Sequence, residues 1–236
     1  METYIQQKQI PDHIKRIKLD VGLSYGAPFS NMWLDKEKDL FIFGFEPNPD
    51  CLEILNAGNI VNQQPFHPES IKNEYLEKYI NIIPIALSNV ETPTTMNFYS
   101  MLNDCGTSSL HQPIDPFIGP TKKMVQVPVY SLKHFFDVFP WDRFEYIEYI
   151  KIDAQGSDFD IIKSAGDYLK DRVVYITAEP EMWQYANCMH NSQENMRYYL
   201  ETQGFIQIGH PNVTDPTFIN KKFYHLKDEI YIMQRY

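Results

Sequence analysis

Five short, almost unbroken apolar runs constrain this fold more than any other feature. They are residues 16–22, 40–46 (LFIFGFE), 80–87 (INIIPIAL), 146–153 (YIEYIKID) and 173–179 (VVYITAE). Runs of this length, rich in β-branched and aromatic residues, suit strands covered on both faces, as in a parallel sheet. Helical patterns follow several of them, at Asp50 to Ala57, Glu69 to Tyr79 and Ser157 to Leu169. In the last, Phe159, Ile162 and Ala165 recur at helical spacing and Ser157 stands where an N-cap belongs. Alternating strands and helices predict a doubly wound α/β fold with a mostly parallel sheet.

Two regions depart from that rhythm. Between residues 88 and 130, TTMNFYSM and KMVQVPVY read as strands joined by the Gly/Pro/Ser-rich DCGTSSLHQPIDPFIGPT. This predicts an inserted hairpin with a long loop, a feature that in compact domains is usually functional or disordered. Near the C-terminus, NSQENMRYYLETQG reads as a helix opened by an Asn191–Glu194 capping box and closed at Gly204. FIQIGH and EIYIMQRY then read as two antiparallel strands at one end of the sheet. The NVTD stretch at 212–215 matches a glycosylation sequon, though nothing else points to secretion.

The 236 residues suit one domain, 1–236, with a full core. A net charge of −10 disfavours nucleic acid as a partner. No apolar run is long enough to span a bilayer. The first residues have no signal-peptide pattern, and three scattered cysteines suit buried free thiols in a reducing compartment, so a cytoplasmic location is expected. Oligomeric state cannot be read from these features.

Ligands of open α/β sheets bind at the carboxyl ends of the strands. Here those ends read Asp20-Val21-Gly22, Glu46-Pro47-Asn48, Ala86-Leu87-Ser88, Asp153-Ala154-Gln155 and Glu179, so four of the five carry a carboxylate. The first turn, DVGLSYG, has Gly22 and Gly26 but not the G-x-G-x-x-G of a dinucleotide site. Asp20 would repel a pyrophosphate at its own turn, which disfavours a nicotinamide oxidoreductase. The acids suit a ligand with positive charge and hydroxyls, such as S-adenosylmethionine. Gly22 and Gly26 would let backbone approach it, and the next helix start could meet its carboxylate. Glu46, twenty residues past Gly26, stands where an acid accepts ribose hydroxyls.

The blocks DVGLSYG, FGFEPNP, PIALSN, CGTSSL, VPVYSLKHFFD and IKIDAQGSDFDIIKSAG occur in the order and rough spacing of the FkbM-type S-adenosylmethionine-dependent methyltransferases, which the chain resembles over about residues 17–180. The resemblance implies a Rossmann-like seven-stranded sheet with the last strand antiparallel, and O-methylation, often of sugar hydroxyls. It implies Asp20, Gly22 and Gly26 at the methionine end and Glu46, with neighbouring Asn48, on the ribose. It further implies Ala86, Leu87 and Ser88 beside the adenine, with Ser108 and Ser109 near the cofactor. The sequence departs from the pattern twice. Leu23, Ser24 and Tyr25 replace the small and amide residues of the family's first turn, so Tyr25 is expected to cover or narrow the pocket. Gln155 stands where the family's fourth motif, D-x-E-G, has glutamate.

Transfer to a hydroxyl needs a base or a metal. Asp153 is the first candidate, Glu179 the second and His111 the third. Asp153 would double as a cofactor contact. Lys151, inside a strand buried on both faces, requires an acidic partner, as a structural ion pair or as part of the catalytic group. Asp153 and Glu179 could offer oxygens to Mg²⁺ or Mn²⁺, but no ligand spacing marks a metal site. Trp183, Tyr185 and His190 are candidates for the acceptor pocket. The expected partner is a sugar or glycan acceptor. The alternative is a catalytically weakened nucleotide-binding module of a glycan-building assembly, a reading that Gln155 favours.

Overall fold

The computed structural model describes residues 1–57, 71–211 and 213–230. In chain order these form α1 (Glu2–Ile5), β1 (Arg16–Val21), α2 (Pro28–Lys36), β2 (Leu40–Phe45), α3 (Pro49–Ala57), α4 (Asn73–Lys78), β3 (Ile80–Ile83), β4 (Ala86–Leu87), β5 (Thr94–Met101), β6 (Thr121–Tyr130), α5 (Leu132–Phe136), β7 (Ile147–Ile152), α6 (Asp158–Lys163), α7 (Tyr168–Arg172), β8 (Val173–Thr177), α8 (Gln193–Thr202), β9 (Phe205–Ile208) and β10 (Thr217–Asn220). Seven strands make one sheet in the order β3-β2-β1-β7-β8-β10-β9. β10 runs antiparallel to both neighbours, while β1, β2, β3, β7 and β8 pair in parallel. Strand order reverses between β1 and β7, which places a crevice at their carboxyl ends.

The apolar runs are strands because both of their faces are covered. Phe41, Phe43 and Phe45 point into one core layer with Leu19, Ile150, Phe135 and Ile162. Leu40 and Ile42 point into the opposite layer with Trp33, Tyr149 and Tyr175. Gly44 breaks the LFIFGF run for a packing reason. A Cβ there would lie 2.5 Å from Leu23 Cδ1, so the missing side chain seats the turn after β1.

Several expectations change in detail. INIIPIAL is two strands, because Pro84 cannot continue the ladder. β3 edges the main sheet, whereas β4 pairs in parallel with β6 in a second sheet of order β4-β6-β5. The inserted hairpin thus exists as β5 and β6, paired from Thr94↔Val129 to Met101↔Thr121 with an irregularity at Ser100/Met101. The helix expected from Ser157 to Leu169 is two helices, interrupted at Gly166, whose φ is +59°. Ser157 makes no capping bond there. The last helix is capped by Ser192, whose hydroxyl accepts from the Asn195 amide, and not by Asn191. The Asn191 side chain instead accepts from the Phe159 amide and donates to the Glu181 carbonyl. The closing antiparallel strand is TFIN, β10. It is too short and too near proline to stand out from its surroundings. Of the strand expected over EIYIMQRY, residues 231–236 lie outside the described residues, as do the start of the Glu69–Tyr79 helix and the sequon's Asn212. Among the described residues no helix is long and apolar enough to cross a membrane.

Candidate active site

A cleft of about 560 Å³, counting its open mouth, lies over the carboxyl ends of β1, β2 and β7. Its apolar lining includes Phe45, Ile85, Leu87, Phe98 and Leu110. Its polar lining includes Ser24, Glu46, Asp153, Gln155 and Ser157, with the backbone of Gly22. The hairpin and its loop add Cys105, Gly106 and Ser108.

The turn after β1 is tightly wound. Gly22, Ser24 and Ala27 have φ of +78°, +55° and +42°. Left-handed backbone costs roughly 1 kcal/mol at a residue with a Cβ, so packing must hold this shape. The facing turn after β7 carries the same signature at Gln155 (+49°) and Gly156 (+91°). The two turns touch. A Cβ on Gly22 would lie 1.9 Å from the Asp153 carbonyl oxygen.

Glu46 is buried, and each of its oxygens accepts one backbone amide. Oε2 takes Ser24 N and Oε1 takes Asn48 N, both at 2.8 Å. Burial nevertheless pushes its carboxyl up to about 7, against the pull of those two amides. The remaining lone pairs are free to accept hydroxyls from the cleft.

Asp153 presents its carboxylate to the cleft between three groups. Gln155 Nε2 donates to Oδ1 at 2.8 Å, and Lys151 Nζ lies 3.4 Å from Oδ2. Glu179 hydrogen-bonds the same carboxylate. Burial opposes ionisation of Asp153, but Lys151 and Gln155 prevail and hold its pKa below the ordinary aspartate value. Glu179 has no such cation beside it. Burial, then the Asp153 charge, push its carboxyl up to about 9, so the proton of this pair resides on Glu179. Glu181 is raised to about 9 by burial and by the neighbouring acids. Asp158, whose oxygens accept the Ala154 and Glu179 amides, is raised to about 7 by burial.

Other expected site residues lie outside the cleft lining. Asp20 is fully buried beneath the turn, accepting from Ser30 Oγ at 2.6 Å, with Lys151 Nζ 3.6 Å from its other oxygen. No residue of the start of α2 lines the cleft. Lys151 donates to the Gly22 carbonyl at 3.0 Å and sits 4.9 Å over the Phe29 ring. It is the ion-pair brace of the two turns, and it does not line the cleft. Tyr25 neither covers nor narrows the cleft, because it is buried with Cys51 and Cys105. Gly26 is buried in the same turn. Asn48 braces the hairpin loop, donating to the Cys105 carbonyl and Ser108 Oγ at 3.0 and 2.9 Å. Ala86, Leu87 and Ser108 line the cleft. Ser88 is tied to the Tyr130 carbonyl, and Ser109 donates to the Gln155 carbonyl at the rim. His111 is held below its ordinary pKa by burial. Trp183 is 66% exposed, and His190 is spent on Asp160 at 2.9 Å. All three cysteines are free and buried.

Sequence reasoning missed several lining residues, among them Ser24, Phe45, Ile85, Phe98, Leu110 and Ser157. Ser24 and Ser157 are polar residues beside motif glycines, a usable signal. Phe98 and Leu110 come from the hairpin by long-range packing and left no local signal. Among the described residues no group of three or more His, Cys, Asp or Glu is arranged to hold a metal ion.

Residues 20–206 match the model of the methyltransferase FkbM domain. The chain belongs to this FkbM methyltransferase family. The crystal structure of methyltransferase FkbM from Methylobacillus flagellatus KT is similar at 12% identity and a TM-score of 0.49. The similarity covers 92% of this chain and 50% of that one, so this chain spans about half that protein's length. A search of curated proteins found no match. The family implies S-adenosylmethionine as methyl donor. The Ser24 and Ser157 hydroxyls are buried at the edge of the cleft without a hydrogen-bond partner. Glu46 accepts two backbone amides, and among the described residues no salt bridge reaches Glu46, Asp158, Glu179 or Glu181. These features fit a cationic ligand with a diol and a flat apolar end.

Proposed function

We propose that this chain is an S-adenosylmethionine-dependent O-methyltransferase acting on a hydroxyl of a sugar or glycan. The observation that carries the reading is the pairing, across one cleft, of a buried acceptor carboxylate, Glu46, with an ionised carboxylate, Asp153. When bound, the cofactor would supply a methyl group with its leaving group attached. Glu46 would accept the ribose hydroxyls, and Phe45, Ile85, Leu87, Phe98 and Leu110 would enclose the adenine. Ser24 and Ser157 would donate to polar atoms of the ligand. Asp153 would take the proton of the acceptor hydroxyl, a role open to it because it is already ionised near neutrality. Glu179 holds a proton at the same pH and can accept one only after losing its own. The carboxylate-rich surroundings suit a neutral polyhydroxyl acceptor and repel a phosphorylated one.

The test is methyl incorporation from labelled S-adenosylmethionine into a panel of neutral and phosphorylated sugars. Neutral glycans are expected to be labelled. Asp153→Asn is expected to lower the rate by about 10²–10⁴-fold, the range for loss of a general base. An Asp153→Asn protein as active as the wild type would overturn this assignment of the base.

A further inference from the structure

Gln155 occupies a left-handed backbone position, φ +49°, and is fixed from three sides. Its carbonyl accepts Ser109 Oγ at 2.6 Å. Its Oε1 accepts the Tyr185 hydroxyl at 2.7 Å, and its Nε2 donates to Asp153 Oδ1 at 2.8 Å. Tyr185 is buried, and its hydroxyl is also 2.8 Å from the Thr107 carbonyl. The neighbouring Gly156 packs so closely that a Cβ would lie 2.8 Å from Cys188 Sγ. The orientation of the amide follows from chemistry. An ionised carboxylate only accepts, so the amide nitrogen faces Asp153 and the oxygen faces the tyrosine donor.

We propose that Gln155 is a positioning residue for Asp153: its amide, clamped by Tyr185, fixes the carboxylate that faces the cleft. The inference rests on the reading of Asp153 as the base. Gln155 is therefore part of the working arrangement and no mark of a weakened site. Gln155 shares Asp153 with two other groups, Lys151 and Glu179. Lys151, from β7, is divided among Asp153, Asp20 and the Gly22 carbonyl. Asp20 from β1, Glu46 after β2 and Asp158 in α6 are acids whose charge, when ionised, opposes that of Asp153, while Glu179 after β8 holds a proton and hydrogen-bonds the same carboxylate. A carboxylate at 155 would add another at hydrogen-bond distance, where two neighbouring carboxyls share one proton.

The experiment is a carbon-13 titration of side-chain carboxyls in the full chain without ligand, the Asp153 signal being assigned by its loss in Asp153→Asn. In the wild type this carboxyl is expected to titrate below the ordinary aspartate range. In Gln155→Glu the apparent midpoint of the 153/155 pair should rise by about one pH unit or more. In Tyr185→Phe, which removes one oxygen from a buried ring, Asp153 should move the same way by less. A folded Gln155→Glu protein with the wild-type midpoint overturns the proposal. If that variant does not fold, Tyr185→Phe decides: an upward move supports the proposal, and an unmoved midpoint overturns it. Calorimetry of the same wild-type protein with S-adenosylhomocysteine reports on the cofactor reading separately, since the carboxyl titration needs no cofactor.

Discussion

Gly22→Ala is expected to destabilise the protein by about 3 kcal/mol or more and to abolish ligand binding at the cleft. Two effects combine at this residue. Its φ of +78° disfavours any side chain. The new Cβ would also sit 1.9 Å from the Asp153 carbonyl oxygen, a distance no contact tolerates. Relief requires the ends of β1 and β7 to separate, although the Asp153 amide bonds the Val21 carbonyl at 3.0 Å across that gap. Separation would displace Asp153 from the cleft. Gly166→Ala is the control, because Gly166 has a φ of +59° but nothing within 4 Å of a Cβ. It should cost only about 1 kcal/mol. Urea denaturation of the two variants separates conformational strain from close approach. Equal costs would show that the two turns are not held in contact.

Lys151→Met is expected to destabilise the fold by about 3–5 kcal/mol, the usual result of removing one partner from a buried ion pair. The Lys151 side chain is 6% exposed and that of Asp20 1%. Its ammonium lies 3.6 Å from Asp20 and 3.4 Å from Asp153, and these neighbours hold its pKa above the ordinary lysine value despite burial. Without it, Asp20 faces burial, which already raises its pKa, with only Ser30 to donate to it. Adding Asp20→Asn to Lys151→Met should recover part of the loss by removing one uncompensated charge. A single variant within about 1 kcal/mol of the wild type would show that the lysine does not brace the turns.

What could be read from the sequence follows range of interaction. The main strands were legible because burial on both faces writes itself as continuous apolar residues, as in Leu40–Phe45 and Ile147–Ile152. Lys151 stood out inside such a run, and its need for an acidic partner predicted the ion pair. The register that supplies the partner, Asp20↔Lys151, is a cross-strand fact. Asp20 shows the limit of motif reading. Its place before the glycines suggested a ligand contact, but the side chain points under the turn to Ser30 and Lys151. Tyr25 and Asn48 were displaced likewise, the first by a cysteine cluster and the second by the hairpin loop. β10 escaped notice because four residues leave too little pattern to count. Gln155 was visible as a departure from the D-x-E-G pattern, but its meaning depends on Tyr185, thirty residues away in sequence and 2.7 Å away in space.

Calorimetric titration with S-adenosylmethionine, and separately with NAD⁺, tests the central claim most directly. At pH 6.5 the ligand's amino group is cationic. Glu46 and Asp158, raised to about 7, and Glu179, raised to about 9, then still hold much of their protons. A bound cation favours the ionised carboxylates, so binding should release protons, seen as a heat that varies with the buffer's ionisation enthalpy. The account predicts saturable binding of S-adenosylmethionine with proton release, none of NAD⁺, and at least a tenfold loss of affinity in Glu46→Ala, about one charge-assisted hydrogen bond. A folded protein that does not bind S-adenosylmethionine would contradict it.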